Sequence, residues 1–126
     1  MDNSENKFYN ASNPFDGGGA LAAEIQKINR RLAQTPESDP NREPLQRRAG
    51  ALRLELLEVM RPLLNKCLDR FGREALSRFR GRIKREDLIQ DGALAILRAA
   101  DAFIPAAGRT FGAFACQCVS HAMRNV

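Results

Sequence analysis

Apolar side chains recur at helical spacing in several stretches of this chain, and Pro, Gly and polar runs separate those stretches. Leu21, Ile25, Ile28 and Leu32 predict a short helix from about Ala20 to Ala33, flanked by Lys27, Arg30 and Arg31. It ends in Thr35-Pro36-Glu37-Ser38-Asp39-Pro40, whose prolines cannot continue a helix. From Glu43 to about Phe71, Leu45, Leu52, Leu56, Val59, Leu63, Leu64, Cys67 and Leu68 mark an apolar stripe, belonging to one long helix or two stacked end to end. Pro62 falls inside it and predicts a kink or a restart, because its ring removes a donor and crowds the previous turn. Arg70 to Arg85 then mixes basic residues with Phe71, Phe79 and two glycines, and reads as a flexible basic connector whose two rings pack into the core.

The next two helices sort cleanly by angle. At about 100° per residue, Ile89, Gly92, Ile96, Ala99, Ala100 and Phe103 fall on the core side of a helix from about Glu86 to Phe103, opposite Asp87, Gln90, Asp91, Leu94, Arg98 and Asp101. Gly92 in mid-helix costs about 1 kcal/mol relative to Ala, which predicts close approach by another helix. Glu86 and Asp87 sit in the first turn, where carboxylates favour the helix dipole. Leu94 at the centre of the polar face and Leu97 at its edge point to a partner-facing surface. In the last helix, with Thr110 as N-cap, Phe111, Phe114, Ala115, Cys118 and Ala122 form the buried side. Gln117, Ser120, His121 and Arg124 form a polar stripe that can face one ligand, or be an ordinary wet face; Gln and Arg suit bidentate contacts to bases, and His can donate, accept or stack.

These divisions give a disordered tail over 1–19, where Phe8, Tyr9 and Phe15 are the docking candidates, a short helix with a Pro-containing linker over 20–42, and a helical domain over 43–126. The 126 residues, 44% hydrophobic and without Trp, fit one all-α domain rather than a sheet. Charge is unevenly placed: residues 42–85 carry thirteen basic against five acidic side chains, a surplus that accounts for more than the whole net +5. Such a segment suits a phosphate-bearing partner through counterion release, with Arg78, Arg80, Arg82, Lys84 and Arg85 as candidate phosphate contacts; a solvated, solubilising helix face is the other reading. Three cysteines, Cys67, Cys116 and Cys118, without a secretory leader, predict reduced thiols in a cytoplasmic protein. No stretch is long and apolar enough for a membrane span.

Enzyme chemistry finds no support. Cys116, Cys118 and His121 suggest a metal site, but on a helix the two thiols point about 200° apart and a fourth ligand is missing. Asp87 with Asp91 lacks a nucleophile or a second ligand set, His121 has no acid partner nearby, and there is no phosphate-binding glycine loop. Neither a metal, a cofactor nor a catalytic residue is expected.

The run Asp87-Leu88-Ile89-Gln90-Asp91-Gly92, then an apolar helix, Phe103-Ile104-Pro105, and finally Gly108, Phe111 and Phe114-Ala115, resembles region 2 of the sigma-70 family of bacterial RNA polymerase sigma factors. In that family the motifs read Asp-Leu-Ile-Gln-Glu-Gly, a Phe-Asp/Glu-Pro loop, and Gly-x-x-Phe-Ser-x-Tyr-Ala. The match is close over 86–124 and extends in pattern and basic character back to about Gly50. The resemblance implies a sigma-70 region 2-like helical bundle, core RNA polymerase and promoter DNA as partners, and an anti-sigma or other regulator as a further one. It places Asp87, Gln90, Asp91 and Leu97 against the clamp helices of the polymerase's largest subunit. It places Arg109, Phe111, Phe114, Gln117, Ser120, His121 and Arg124 at the −10 element, whose unstacked bases are captured in protein pockets at a cost of a few kcal/mol each.

The departures are specific. Primary sigma factors carry a Trp pair at the positions of Gln117 and Cys118 and an aromatic at Arg109, so this chain is expected to open DNA less well or to read a different element. No helix-turn-helix for a −35 element follows before Val126, which implies either a fragment or a stand-alone region 2 protein. Three functions follow: a sigma-like initiation factor that binds core polymerase and helps recognise and open −10 DNA; a polymerase-binding regulator that competes with or redirects other sigma factors; and a small basic helical DNA-binding protein.

Overall fold

The computed structural model describes residues 18–79, 82, 84–105 and 108–124. The chain runs through α1 (Gly18–Ala33), α2 (Arg42–Val59), α3 (Arg61–Cys67), a π-helical turn (Leu68–Gly72), α4 (Arg73–Phe79), α5 (Arg85–Ala102) and α6 (Phe111–Arg124). The all-α expectation holds for the described residues. The expected tail over 1–19 lies outside them except for Gly18 and Gly19, which open α1.

Each boundary has a local cause. Pro36 and Pro40 lie between α1 and α2, and the Asp39 carboxylate accepts the Asn41 N–H at 2.8 Å as the chain turns into α2. The expected interruption at Pro62 is a restart: α2 ends at Val59 and α3 begins at Arg61 with Pro62 in its first turn, where a missing N–H costs nothing. Met60 spans the break. Its N–H donates to the Leu56 carbonyl at 2.9 Å, its carbonyl accepts from Leu64 at 3.0 Å, and its side chain is fully buried.

The basic connector expected over 70–85 is instead helical as far as Phe79. After α3 the chain inserts a π turn and continues into α4. Leu68 and Gly72 are the buried residues of that turn, and a β-carbon at Gly72 would lie 2.7 Å from Leu68 Cδ1 and 3.3 Å from Leu88 Cδ1. The wider turn lets the backbone settle onto α5 while Arg70 and Phe71 are carried toward α6.

One core joins all the helices. Ile25 of α1, Leu56 of α2, Leu63 of α3, Leu68 of the π turn, Leu88 and Ile96 of α5, and Phe111, Val119 and Met123 of α6 are its large, fully buried side chains. Sorting by angle identifies the core face of α5, although Leu88 and Ala95 belong to it and Ile89 is only half-buried. The close approach expected at Gly92 is present: a β-carbon there would lie 2.4 Å from Leu64 Cδ1, 3.2 Å from Met123 Cε and 3.5 Å from Val119 Cγ1. α3, α5 and α6 meet at that point.

α1 also holds the end of α5. Gln26 Nε2 donates to the carbonyls of Ala100 at 2.7 Å and Phe103 at 2.8 Å, serving acceptors that the helix end leaves without intrahelical donors. Beside it, Asp101 accepts from Asn29 at 3.1 Å and pairs with Arg53 at 3.8 Å, linking α1, α2 and α5. Gly108 in the loop before α6 has φ +86°, a left-handed conformation that favours glycine.

Filling the three-helix crossing tests this packing. Gly92→Leu must displace Leu64, Met123 and Val119 together, and overpacking of this kind costs about 1–3 kcal/mol. Urea denaturation of the variant should show a lower midpoint; an unchanged midpoint would refute the crossing.

Candidate nucleic-acid interface

α6 begins with Thr110, whose Oγ1 accepts the Ala113 N–H at 3.1 Å, as the expected N-cap should. The helix is steered by an aromatic group: Phe103 meets Phe111 edge-on at 5.4 Å between centroids and Phe114 at 5.8 Å. Phe111, expected at the −10 element, is 1% exposed and packs in the core, because the first residue of α6 points inward under Phe103 and the start of α1. Phe114 is half-buried, and the Arg109 guanidinium lies 5.4 Å above its ring.

Arg109, Gln117, His121 and Arg124 converge on one cleft of about 630 Å³ between α6 and the π turn. Arg109 donates a hydrogen bond to the Gln117 Oε1. Arg70 and Phe71 form the opposite wall. Arg124 lies 4.3 Å over the Phe71 ring and Arg70 lies 5.3 Å from the same centroid, so the ring is flanked by two cations. Arg70 was not singled out as a site residue from the sequence, since nothing in the Arg-rich run marks the π turn that aims it here.

Ser120, expected in the polar stripe, is buried at 9% exposure and forms part of the cleft floor, with its Oγ 3.9 Å from Cys67 Sγ. The stripe centres on Gln117, His121 and Arg124, and Ser120 sits about 60° to one side, where α3 and the π turn cover it. On the other flank of α6, Phe114, Cys118 and Ala122, expected to be buried, are half-buried. They line a shallower groove of about 510 Å³ shared with Ala95, Arg98 and Ala99 of α5. Gln117 and His121 stand on the ridge between the two depressions.

The thiols differ in their acidity. The Cys116 sulfur accepts a hydrogen bond from the Cys67 thiol, and this, with Ser120 and Arg70, outweighs burial to bring its pKa down to about 7. Cys67 is pushed up because it donates that hydrogen bond and is buried. Burial also raises Cys118, against the field of Arg109.

The outer face of α5 carries the residues expected to meet a polymerase. Gln90 is exposed, Asp91 half-buried and Leu94 half exposed at 50%, while Leu97 packs its inner side against the core. Asp87 is exposed, but its Oδ2 accepts the Lys84 N–H at 2.9 Å and so caps its own helix. Among the candidate phosphate contacts, Arg78 pairs with Glu74 at 3.2 Å on α4, and Arg82, Lys84 and Arg85 are exposed around the start of α5. Arg80 lies outside the described residues. Among the described residues no group of three or more metal-ligating side chains comes together, and no helix is long and apolar enough to cross a membrane.

The described residues thus form a helical domain with a cationic cleft on α6 and a mixed apolar and acidic outer face on α5. Residues 63–126, just over half of the chain, match the family model for sigma-70 region 2. The chain belongs to the sigma-70 region 2 family, a family of non-enzymatic transcription factor domains. No curated protein and no solved structure matches the chain.

Two measurements check these assignments. Phe111→Ala should lower unfolding stability by about 3–5 kcal/mol, read by chemical denaturation; a fully stable variant would put the ring back among surface groups. The alkylation rate of Cys116 by iodoacetamide, followed by peptide mass, should rise as pH passes about 7 because the thiolate is the nucleophile. Cys118 should require a higher pH, and the reverse order would overturn the assignment.

Proposed function

We propose that this chain is a sigma-like transcription initiation factor that binds core RNA polymerase through the outer face of α5 and takes unstacked bases of a −10 element into the cleft on α6. The observation that carries this reading is the convergence of Arg70, Arg109, Gln117, His121 and Arg124 around one cleft in a chain of this family. Gln117 and His121 supply hydrogen bonds to base edges and the arginines attract phosphate. Gln90, Asp91, Leu94 and Leu97 form the polymerase contact, with Asp91 suited to a basic partner and the leucines to its apolar part. Asp87 contributes by fixing the first turn of α5. The lengthwise run of Arg78, Arg82, Lys84 and Arg85 adds contacts to the DNA backbone.

The rings at the cleft favour a second reading. Arg124 covers Phe71 in the cleft, Arg109 covers Phe114 on the other flank of α6 and Phe111 is buried, so among the described residues no uncovered Phe ring faces the cleft where primary sigma factors use a Trp pair. In the first reading bases stack on the guanidinium planes. In the second the chain binds polymerase without reading promoters, and redirects or displaces other sigma factors.

Binding to purified core polymerase, with Gln90 and Asp91 both changed to Ala as the comparison, tests the shared part of both readings. Saturable binding that the double substitution weakens about tenfold, or about 1.4 kcal/mol, is the expected result. Absence of binding at micromolar protein would overturn both. Single-strand binding in the presence of polymerase then separates them: the initiation factor prefers one strand of an A/T-rich element and loses that preference in His121→Ala with Arg124→Ala. A regulator that does not read promoters shows no strand preference.

A further inference from the structure

Cys116 on the wall of the cleft and Cys67 buried behind it form a pair of thiols that the proposed nucleic-acid recognition does not use. Cys67, at the end of α3, is 3% exposed, and its Sγ lies 3.9 Å from Ser120 Oγ on α6. Cys116 and Ser120 are four residues apart on that helix, so their side chains stack on the same face one turn apart. The contact with Ser120 places the Cys67 sulfur on the side of α6 that Cys116 shares, one turn away, and the two thiols shift each other's acidity in opposite directions. Their surroundings are unequal. Cys116 is half-buried and lines the cleft beside Arg70, whereas Cys67 lies behind it. Cys118 is about 200° away around α6 and lines the groove shared with α5. All three are free thiols.

Buried cysteines ordinarily serve as small apolar side chains and are inert. This pair differs in that one member opens onto a cleft beside a guanidinium while the other lies behind it, on a different helix. We propose that Cys67 and Cys116 form a peroxide-responsive dithiol, in which oxidation of Cys116 is followed by a disulfide that ties the end of α3 to α6 beneath the cleft.

The chemistry balances with one hydrogen peroxide. The Cys116 thiolate attacks one peroxide oxygen; the O–O bond breaks, the departing hydroxide takes up a proton to leave as water, and Cys116 becomes a sulfenic acid. The Cys67 sulfur then attacks the Cys116 sulfur, an S–S bond forms as the S–OH bond breaks, and the Cys67 proton leaves with that hydroxyl as a second water. The two thiols together lose two electrons and the peroxide gains them. Arg70 and Ser120 favour the attacking thiolate through charge and hydrogen bonding. Burial keeps Cys67 from reacting first and reserves it for the second step.

The test uses the intact chain. It is treated with hydrogen peroxide, blocked with an alkylating agent under denaturing conditions, and digested without reductant for peptide mass analysis. The expected product is a crosslinked peptide pair containing Cys67 and Cys116, released by dithiothreitol, with Cys118 alkylated. In Cys67→Ser, Cys116 should be trapped by dimedone as the sulfenic acid, and Cys118→Ser should still form the crosslink. Recovery of alkylated Cys67 after peroxide, or a disulfide formed through Cys118 instead, would overturn the proposal. The wild-type mapping decides the matter even where a variant does not fold.

Discussion

The absence of a side chain at residue 92 is the constraint on which the arrangement of the other helices depends. α5 is crossed there by Leu64 from α3 and by Val119 and Met123 from α6, at separations that leave no room for a β-carbon without movement. A glycine in mid-helix weakens the helix locally, and dense packing around the gap offsets that loss through apolar burial and dispersion. The same contact orients both surfaces on which the proposed function rests. With the inner side of α5 pressed against two helices, its Gln90 and Leu94 side faces outward. With Val119 and Met123 turned inward, Gln117, His121 and Arg124 are left on the opposite side of α6.

The cleft is a place where cations and rings satisfy one another. A guanidinium resting on a ring loses less hydration than an ammonium would and keeps its edge donors available. Arg124 on Phe71 inside the cleft and Arg109 on Phe114 at the neighbouring groove thus shield apolar rings from water while leaving charge at the rim. Under the proposed function, a nucleic acid would meet flat cationic planes here rather than bare Phe rings. The electrostatic part of that proposed recognition would carry more of the affinity, with a correspondingly steep dependence on salt.

Much of this was legible in the residues because α5 and α6 are amphipathic over their whole length. The core side of α5, the Thr110 cap, the restart at Pro62 and the reason for Gly92 all follow from spacing and backbone chemistry. The π turn and α4 did not, since Arg70–Arg85 combines glycines with charge and carries no clean apolar period; its helical form is imposed by burial of Leu68, Gly72 and Ala75 against the rest of the fold. Ser120 was misplaced for a related reason. A helical wheel gives angles but cannot tell how far a neighbouring helix wraps around the edge, and α3 with the π turn wraps far enough to cover it. Phe111 has the spacing of a core residue and the family position of a base contact; its place beneath Phe103 and the start of α1 puts it in the core.

Gln26 gives the molecule a folding boundary that differs from its boundary of kinship. The family match begins at residue 63, yet the last carbonyls of α5 are served from α1, and the core that supports α6 includes Ile25 and Leu56. Cut at the start of the matched segment, the remainder would keep the whole family match and lose the donors and apolar surface that close it. The portion that carries the ancestry is thus packed into a longer structural unit, and a substitution in α1 can reach the cleft without altering any residue that lines it.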